Sequence, residues 1–121
     1  MNILIVEDDQ VLRKALHQNF SNENNYVLVA ADGQQALDIV HDNRNIDLII
    51  CDIMMPFISG PTFILMLKQY FGTKVPAIIV MSTIKEGDAF LNKIEVRYDH
   101  FISKPIDFKL LNEITDNLVK K

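Results

Sequence analysis

Five short apolar runs punctuate the chain: "NILIVE", "YVLVA", "DLIICD", "AIIVMS" and "HFISK". Each has strand length, and most are nearly continuous in Ile, Val and Leu. That is how parallel strands covered on both faces read; antiparallel strands alternate. Between the runs, apolar residues return at helical spacing. The sets are Val11, Leu12, Ala15, Leu16 and Phe20; Ala36, Leu37 and Val40; Phe63, Ile64, Leu67 and Tyr70; Ala89, Phe90 and Ile94; and Leu110, Leu111, Ile114 and Leu118. One apolar stripe per segment predicts five amphipathic helices. Asp32-Gly33, Ser59-Gly60-Pro61 and Asp107 predict helix starts, and Asn43 and Gly72 predict stops. Strand and helix alternate throughout, which predicts five βα units, and right-handed crossovers turn these into a doubly wound, parallel α/β sheet.

Composition narrows the function. A chain of 121 residues with 49% hydrophobic and 23% charged residues suits one domain, residues 1–121, with a packed core. The formal net charge of -4 disfavours a direct grip on nucleic acid. Cys51 is the sole cysteine, so no internal disulfide forms, and Met1 leads into the first run without a signal-peptide pattern. No apolar run approaches the roughly 20 residues that span a bilayer. The expectation is a cytoplasmic protein with no membrane contact.

The chemistry sits at the ends of the runs. Ligands bind outside the carboxyl ends of strands in such sheets, at the switch point between the first and third strands. Glu7 and Asp8 close the first run and Asp52 closes the third. Three ionised carboxylates in one crevice call for a divalent cation, and oxygen-only ligands favour Mg²⁺ or Mn²⁺. Such a metal retains waters and awaits a phosphoryl group. Ser82-Thr83 ends the fourth run with hydroxyls and Lys104-Pro105 ends the fifth with an ammonium, the groups that would neutralise an aspartyl phosphate at Asp52.

With these residues in order, the chain resembles the receiver domain of bacterial two-component response regulators, the CheY-like family, over essentially its whole length. The acidic pair is matched by Glu7 and Asp8, the phosphoacceptor pattern by "DLIICDIMMPFISG" with Asp52 as acceptor, the switch hydroxyl by Ser82 and the lysine by Lys104. The intervals are 44 residues from Asp8 to Asp52, 30 to Ser82 and 22 to Lys104. Three positions before the lysine, Phe101 matches the aromatic switch. The resemblance implies a (βα)5 flavodoxin-like fold of strand order 2-1-3-4-5. It implies a metal set of Glu7, Asp8, Asp52 and the backbone carbonyl of Met54, with Asp8, Asp52 and that carbonyl as direct ligands. It further implies a histidine kinase or phosphotransfer protein as phosphodonor and a downstream effector or output domain. The fourth helix, fifth strand and fifth helix would form the switching surface, and a phosphorylation-dependent homodimer is compatible with it. No separate enzyme activity is expected beyond Mg²⁺-dependent self-phosphorylation and self-dephosphorylation.

Several positions depart from the family or carry plainer roles. Thr83 stands where the family has a small residue, and "EVRYD" replaces its Gly-Ala turn. Met54 and Ile84, two beyond the acceptor and two beyond the hydroxyl, are apolar, which predicts slow self-dephosphorylation. Asp9 reads as a helix cap. Cys51 should face away from Asp52 and pack, and Met54, Met55 and Met66 read as packing residues. His17, His41 and His100 show neither zinc-ligand nor phosphorelay spacing. The alternative function is a Mg²⁺-dependent small-molecule phosphohydrolase with Asp52 as nucleophile. Such an enzyme wants a second acid two residues later, where Met54 stands.

Overall fold

The computed structural model describes residues 1–43, 45–83 and 97–119. The strands are β1 (Asn2–Val6), β2 (Tyr26–Ala30), β3 (Leu48–Asp52), β4 (Ala77–Ser82) and β5 (His100–Ser103). The helices are α1 (Gln10–Phe20), α2 (Gly33–Asp42), α3 (Gly60–Phe71) and the C-terminal α4 (Phe108–Val119). All strand pairs are parallel, in the order β2-β1-β3-β4-β5. This is the flavodoxin-like, doubly wound sheet. The helix predicted around Ala89, Phe90 and Ile94 lies outside the described residues, as does Ile84.

Strand alternation divides the core in two. Leu4, Val6, Ile49, Cys51, Ile78 and Val80 face α2 and α3, meeting Ala36, Leu37, Val40, Phe63, Ile64 and Leu67. Ile3, Ile5, Leu48, Ile50, Ile79, Met81 and Ile102 face α1 and α4, meeting Leu16, Phe20, Leu111 and Ile114. Each such burial contributes about 2 kcal/mol, so the central strands anchor the fold and hold their carboxyl ends in fixed register.

Two-sided burial holds for β1, β3 and β4 and fails at the edges. Tyr26 and Val29 of β2 and His100 and Ser103 of β5 are exposed, because an edge strand lies partly beyond the covering helices. Val11 and Leu110 also leave the predicted stripes for solvent. Each stands one residue before a core contact of its helix, Leu12 or Leu111, and one residue is a rotation of about 100°.

The predicted helix ends are the observed ones. Asp9 accepts from the Leu12 amide (3.1 Å), Asp32 from Gln35 (2.8 Å), Ser59 from Thr62 (3.3 Å) and Asp107 from Leu110 (3.2 Å). Asn43 and Gly72 return their amides to the last turns of α2 and α3. Gly60 has a further reason to lack a side chain: a Cβ there would strike the Asp52 carbonyl oxygen and lie 2.8 Å from Ile53 Cα. Only glycine lets α3 start this close to the end of β3. Gly60→Ala should therefore cost about 3 kcal/mol, the overpacking range, read as a lower urea midpoint. A loss below about 0.5 kcal/mol would contradict this contact.

Candidate functional site

β1 and β3 are neighbours, with Val6 opposite Cys51, so the residues that follow them emerge side by side. The Glu7 amide donates to the Ala30 carbonyl (3.0 Å), continuing the β1–β2 ladder. Glu7 is fully buried, Asp52 is 5% exposed and Asp8 is open to solvent. One carboxylate oxygen from each of Glu7, Asp8 and Asp52 falls within 4.8 Å of the others. Opposite them, Lys104 Nζ lies 2.7 Å from Glu7 Oε1 and 2.9 Å from Asp52 Oδ2. The Lys104 amide also donates to the Ser82 carbonyl (2.8 Å), tying the ends of β4 and β5 together.

The second oxygens of Glu7 and Asp52 are held by backbone. Asp9 N–H donates to Glu7 Oε2 (3.0 Å) and Met54 N–H to Asp52 Oδ1 (3.2 Å). Burial, first of all, raises the Glu7 carboxyl above the ordinary range, with the Asp52 charge adding to it, and the Lys104 and Asp9 hydrogen bonds only partly oppose the rise. For Lys104, burial works against its charge, yet the hydrogen bonds and charges of Glu7 and Asp52 prevail and hold the ammonium above its usual value. The Cys51 thiol is pushed far up by burial and by the two acids, so it is inert.

Three carboxylates facing one ammonium leave an excess of negative charge in a mostly buried crevice. The Asp8 side chain is open to solvent and forms no ion pair among the described residues. An all-oxygen donor set with one exposed carboxylate fits a hard divalent cation. Asp52 and Asp8 would hold it, with the fully buried Glu7 behind them.

The structure thus brings Glu7, Asp8, Asp52 and Lys104 together. Ser82, buried at the end of β4, stands one strand over from Asp52. Phe101 is half-buried against the α2/α3 side of the core, opposite Val80. Cys51 packs on that side, as alternation from Asp52 requires. The three histidines are exposed on separate elements. Met55 and Met66 pack, but Met54 does not: it is 62% exposed. β3 ends at Asp52, so strand alternation no longer governs where Met54 points.

Three local features escape a reading by periodicity. Arg13 reaches back from α1 to donate to the carbonyls of Glu7 (2.9 Å) and Asp8 (3.2 Å), pinning the acidic turn. Its only sequence signal is a place one helical turn beyond the acids. Gly33 leaves room for Ile58, whose Cβ would lie 2.7 Å from an added one. Phe57 adopts φ +68 within a γ-turn closed by Ile58 N–H to Pro56 O (2.8 Å), with its ring almost wholly in solvent.

A family model described as the response regulator receiver domain matches residues 3–116. The chain belongs to that family. The receiver is 36% identical over 105 residues to the transcriptional regulatory protein CpxR of Escherichia coli K12, covering 87% of this chain and 43% of that protein. It is 29% identical over 126 residues to hybrid signal transduction histidine kinase I of Dictyostelium discoideum, covering 98% of this chain and 7% of that one. The receiver therefore spans less than half the length of these curated relatives. Its fold matches the receiver domain of sensor histidine kinase PA1611 from Pseudomonas aeruginosa PAO1 with a TM-score of 0.86 at 22% identity, covering 99% of this chain and 98% of that one. That structure carries a magnesium ion in its active site cleft. The receiver is a module of two-component signalling. No helix among its described residues is long and apolar enough to cross a membrane.

Proposed function

We propose that residues 1–121 form one receiver domain in which Asp52 accepts a phosphoryl group from the phosphohistidine of a kinase or phosphotransfer protein, with Mg²⁺, or Mn²⁺ in its place. The observation that carries this reading is the nearly buried Asp52 carboxylate, 2.9 Å from the Lys104 ammonium and grouped with Glu7 and Asp8. An Asp52 oxygen attacks phosphorus, the P–N bond breaks, and the donor's imidazole departs. Lys104 balances charge on the transferred oxygens, and Ser82 supplies a hydroxyl to one of them. The cation, held by Asp8, Asp52 and the Met54 carbonyl, would offset the negative charge as donor and acceptor approach. Ser82 and Phe101 would report the modification to the surface of β5 and α4, together with the segment before β5, and so to an effector or output domain. A phosphorylation-dependent homodimer through that surface and a cytoplasmic location belong to the same reading.

Incubation with Mg²⁺ and phosphoramidate should add one phosphate per chain by intact mass, mapping to Asp52 and absent in EDTA. No uptake would refute the proposal, whereas steady turnover of a phosphate ester would favour the phosphohydrolase. The phosphorylated form should be long-lived, since Met54 offers water no polar partner near the acceptor. Met54→Asn should speed its decay by about tenfold, short of the roughly 100-fold of a positioned general base. A short half-life that Met54→Asn leaves unchanged would count against this.

A further inference from the structure

At the rim opposite the acids, a cavity of about 410 Å³ opens between the end of α3 and the start of β4. Its size falls in the range of small-molecule sites. Ile64, Leu65, Val75 and Ile78 give it aliphatic walls, and Thr73, Lys68 and Arg97 give it polar groups. Ile64 and Ile78 are nearly wholly buried, so they form a floor, while Leu65 is 47% exposed at the mouth. A Cβ on Gly72 would meet nothing within 4 Å, so the α3 end of the opening is unobstructed.

The charges choose the class of ligand. Neither Lys68 nor Arg97 forms an ion pair among the described residues, in a chain with a net charge of -4. Lys68 sits in the last turn of α3, where a cation complements the helix dipole. Arg97 lies ahead of β5 and has no such duty. Against these two positive charges stand about half a negative charge at the carbonyl end of α3 and the Asp99 carboxylate, which is engaged by the Ile78 amide, so among the described residues the mouth keeps a small positive excess. The floor is also firm. Ile78 N–H donates to Asp99 Oδ2 (2.7 Å) and Asp99 N–H to the Ile78 carbonyl (2.8 Å), clasping β4 to the approach of β5.

We propose that this cavity binds a small carboxylate with an aliphatic or aryl body, the body against Ile64, Leu65, Val75 and Ile78 and the carboxylate on Arg97 and Lys68. The site is independent of Asp52 and of the phosphoryl chemistry. It places a ligand at the near ends of β4 and β5, whose far ends carry Ser82 and Lys104.

The test is titration of the ¹⁵N-labelled full chain with 2-naphthoate and with octanoate, followed by amide shifts. The expected result is saturable binding with Kd near or below about 1 mM, centred on Gly72, Thr73, Ile78 and Arg97. Arg97→Gln should weaken it about tenfold, the effect of losing one charge-assisted hydrogen bond, and octylamine should not bind. Leu65→Glu, at an exposed position that leaves folding intact, should abolish binding by placing a negative charge at the mouth. Absence of saturation, equal affinity in Arg97→Gln, or equal binding of the amine would overturn the proposal. So would concentration-dependent shifts of the same amides without ligand, which would assign the cavity to a second copy of the chain.

Discussion

Asp52→Asn should take up no phosphoryl group from phosphoramidate and should lose most of the thermal stabilisation that Mg²⁺ gives the native chain. The amide keeps the size of the carboxylate, and its single oxygen still accepts from one of the two donors, Met54 N–H or Lys104 Nζ, that bind the two oxygens of Asp52, so the strand end stays in place. What disappears is the nucleophile and one of the two carboxylates best able to hold the cation. A ligand present at 100 times its Kd contributes about 2.7 kcal/mol, which for a domain of this size raises Tm by about 10 °C. The variant should show only a small fraction of that rise while its Tm in EDTA stays near the native value. Removing one of three mutually repelling acids offsets part of what Lys104 loses. Paired scans in EDTA and in Mg²⁺, with intact mass after phosphoramidate, decide it. A native Tm indifferent to Mg²⁺, or a phosphate on the Asp52→Asn variant, would end the argument.

Lys104→Ala should produce the largest fall in metal-free stability of any exchange at the site. One ammonium neutralises two carboxylates, at 2.7 and 2.9 Å, and Glu7 is fully buried. Removing one partner of such a pair leaves uncompensated buried charge, which costs about 3 to 5 kcal/mol. Mg²⁺ should restore part of the loss, because the acids then face the metal without a competing cation. The native and variant chains should therefore differ most in EDTA and less in Mg²⁺, measured by urea unfolding in each buffer. Phosphoryl uptake should fall as well, since the transferred oxygens lose their ammonium. A variant as stable as the native chain in EDTA would show that the bridge contributes nothing to folding.

Much of this architecture was legible in the residues, for reasons that can be named. β1, β3 and β4 read correctly because burial on two faces forces near-continuous Ile, Val and Leu, and few other structures need that pattern. Helix starts were legible because capping uses one side-chain oxygen at one position, as at Asp9, Asp32, Ser59 and Asp107. The gathering of Glu7, Asp8 and Asp52 follows from the strand order, which the resemblance to receiver domains implies and which the alternation of elements alone leaves open. The bridge from Lys104 to two acids did not follow, because it depends on how a long side chain crosses from β5 to β1. Met54 misled because an apolar side chain reads as packed, whereas this one stands past the last residue of β3 in solvent, and Val11 and Leu110 because an apolar residue beside a stripe looks like a member of it. Gly60 and Gly33 were readable as turn or helix-start residues, but the backbone and Ile58 that crowd them lie elsewhere in the chain.

The position of β2 at the margin of the sheet has a practical consequence. Tyr26–Ala30 contains no charged residue and no proline, and among the described residues only β1 pairs with it. Natural proteins guard such margins with lysine, proline or a bulge, and this one offers none of them there. In concentrated stocks, slow clumping should begin along this ribbon, with chains adding side to side, well before the globule itself melts.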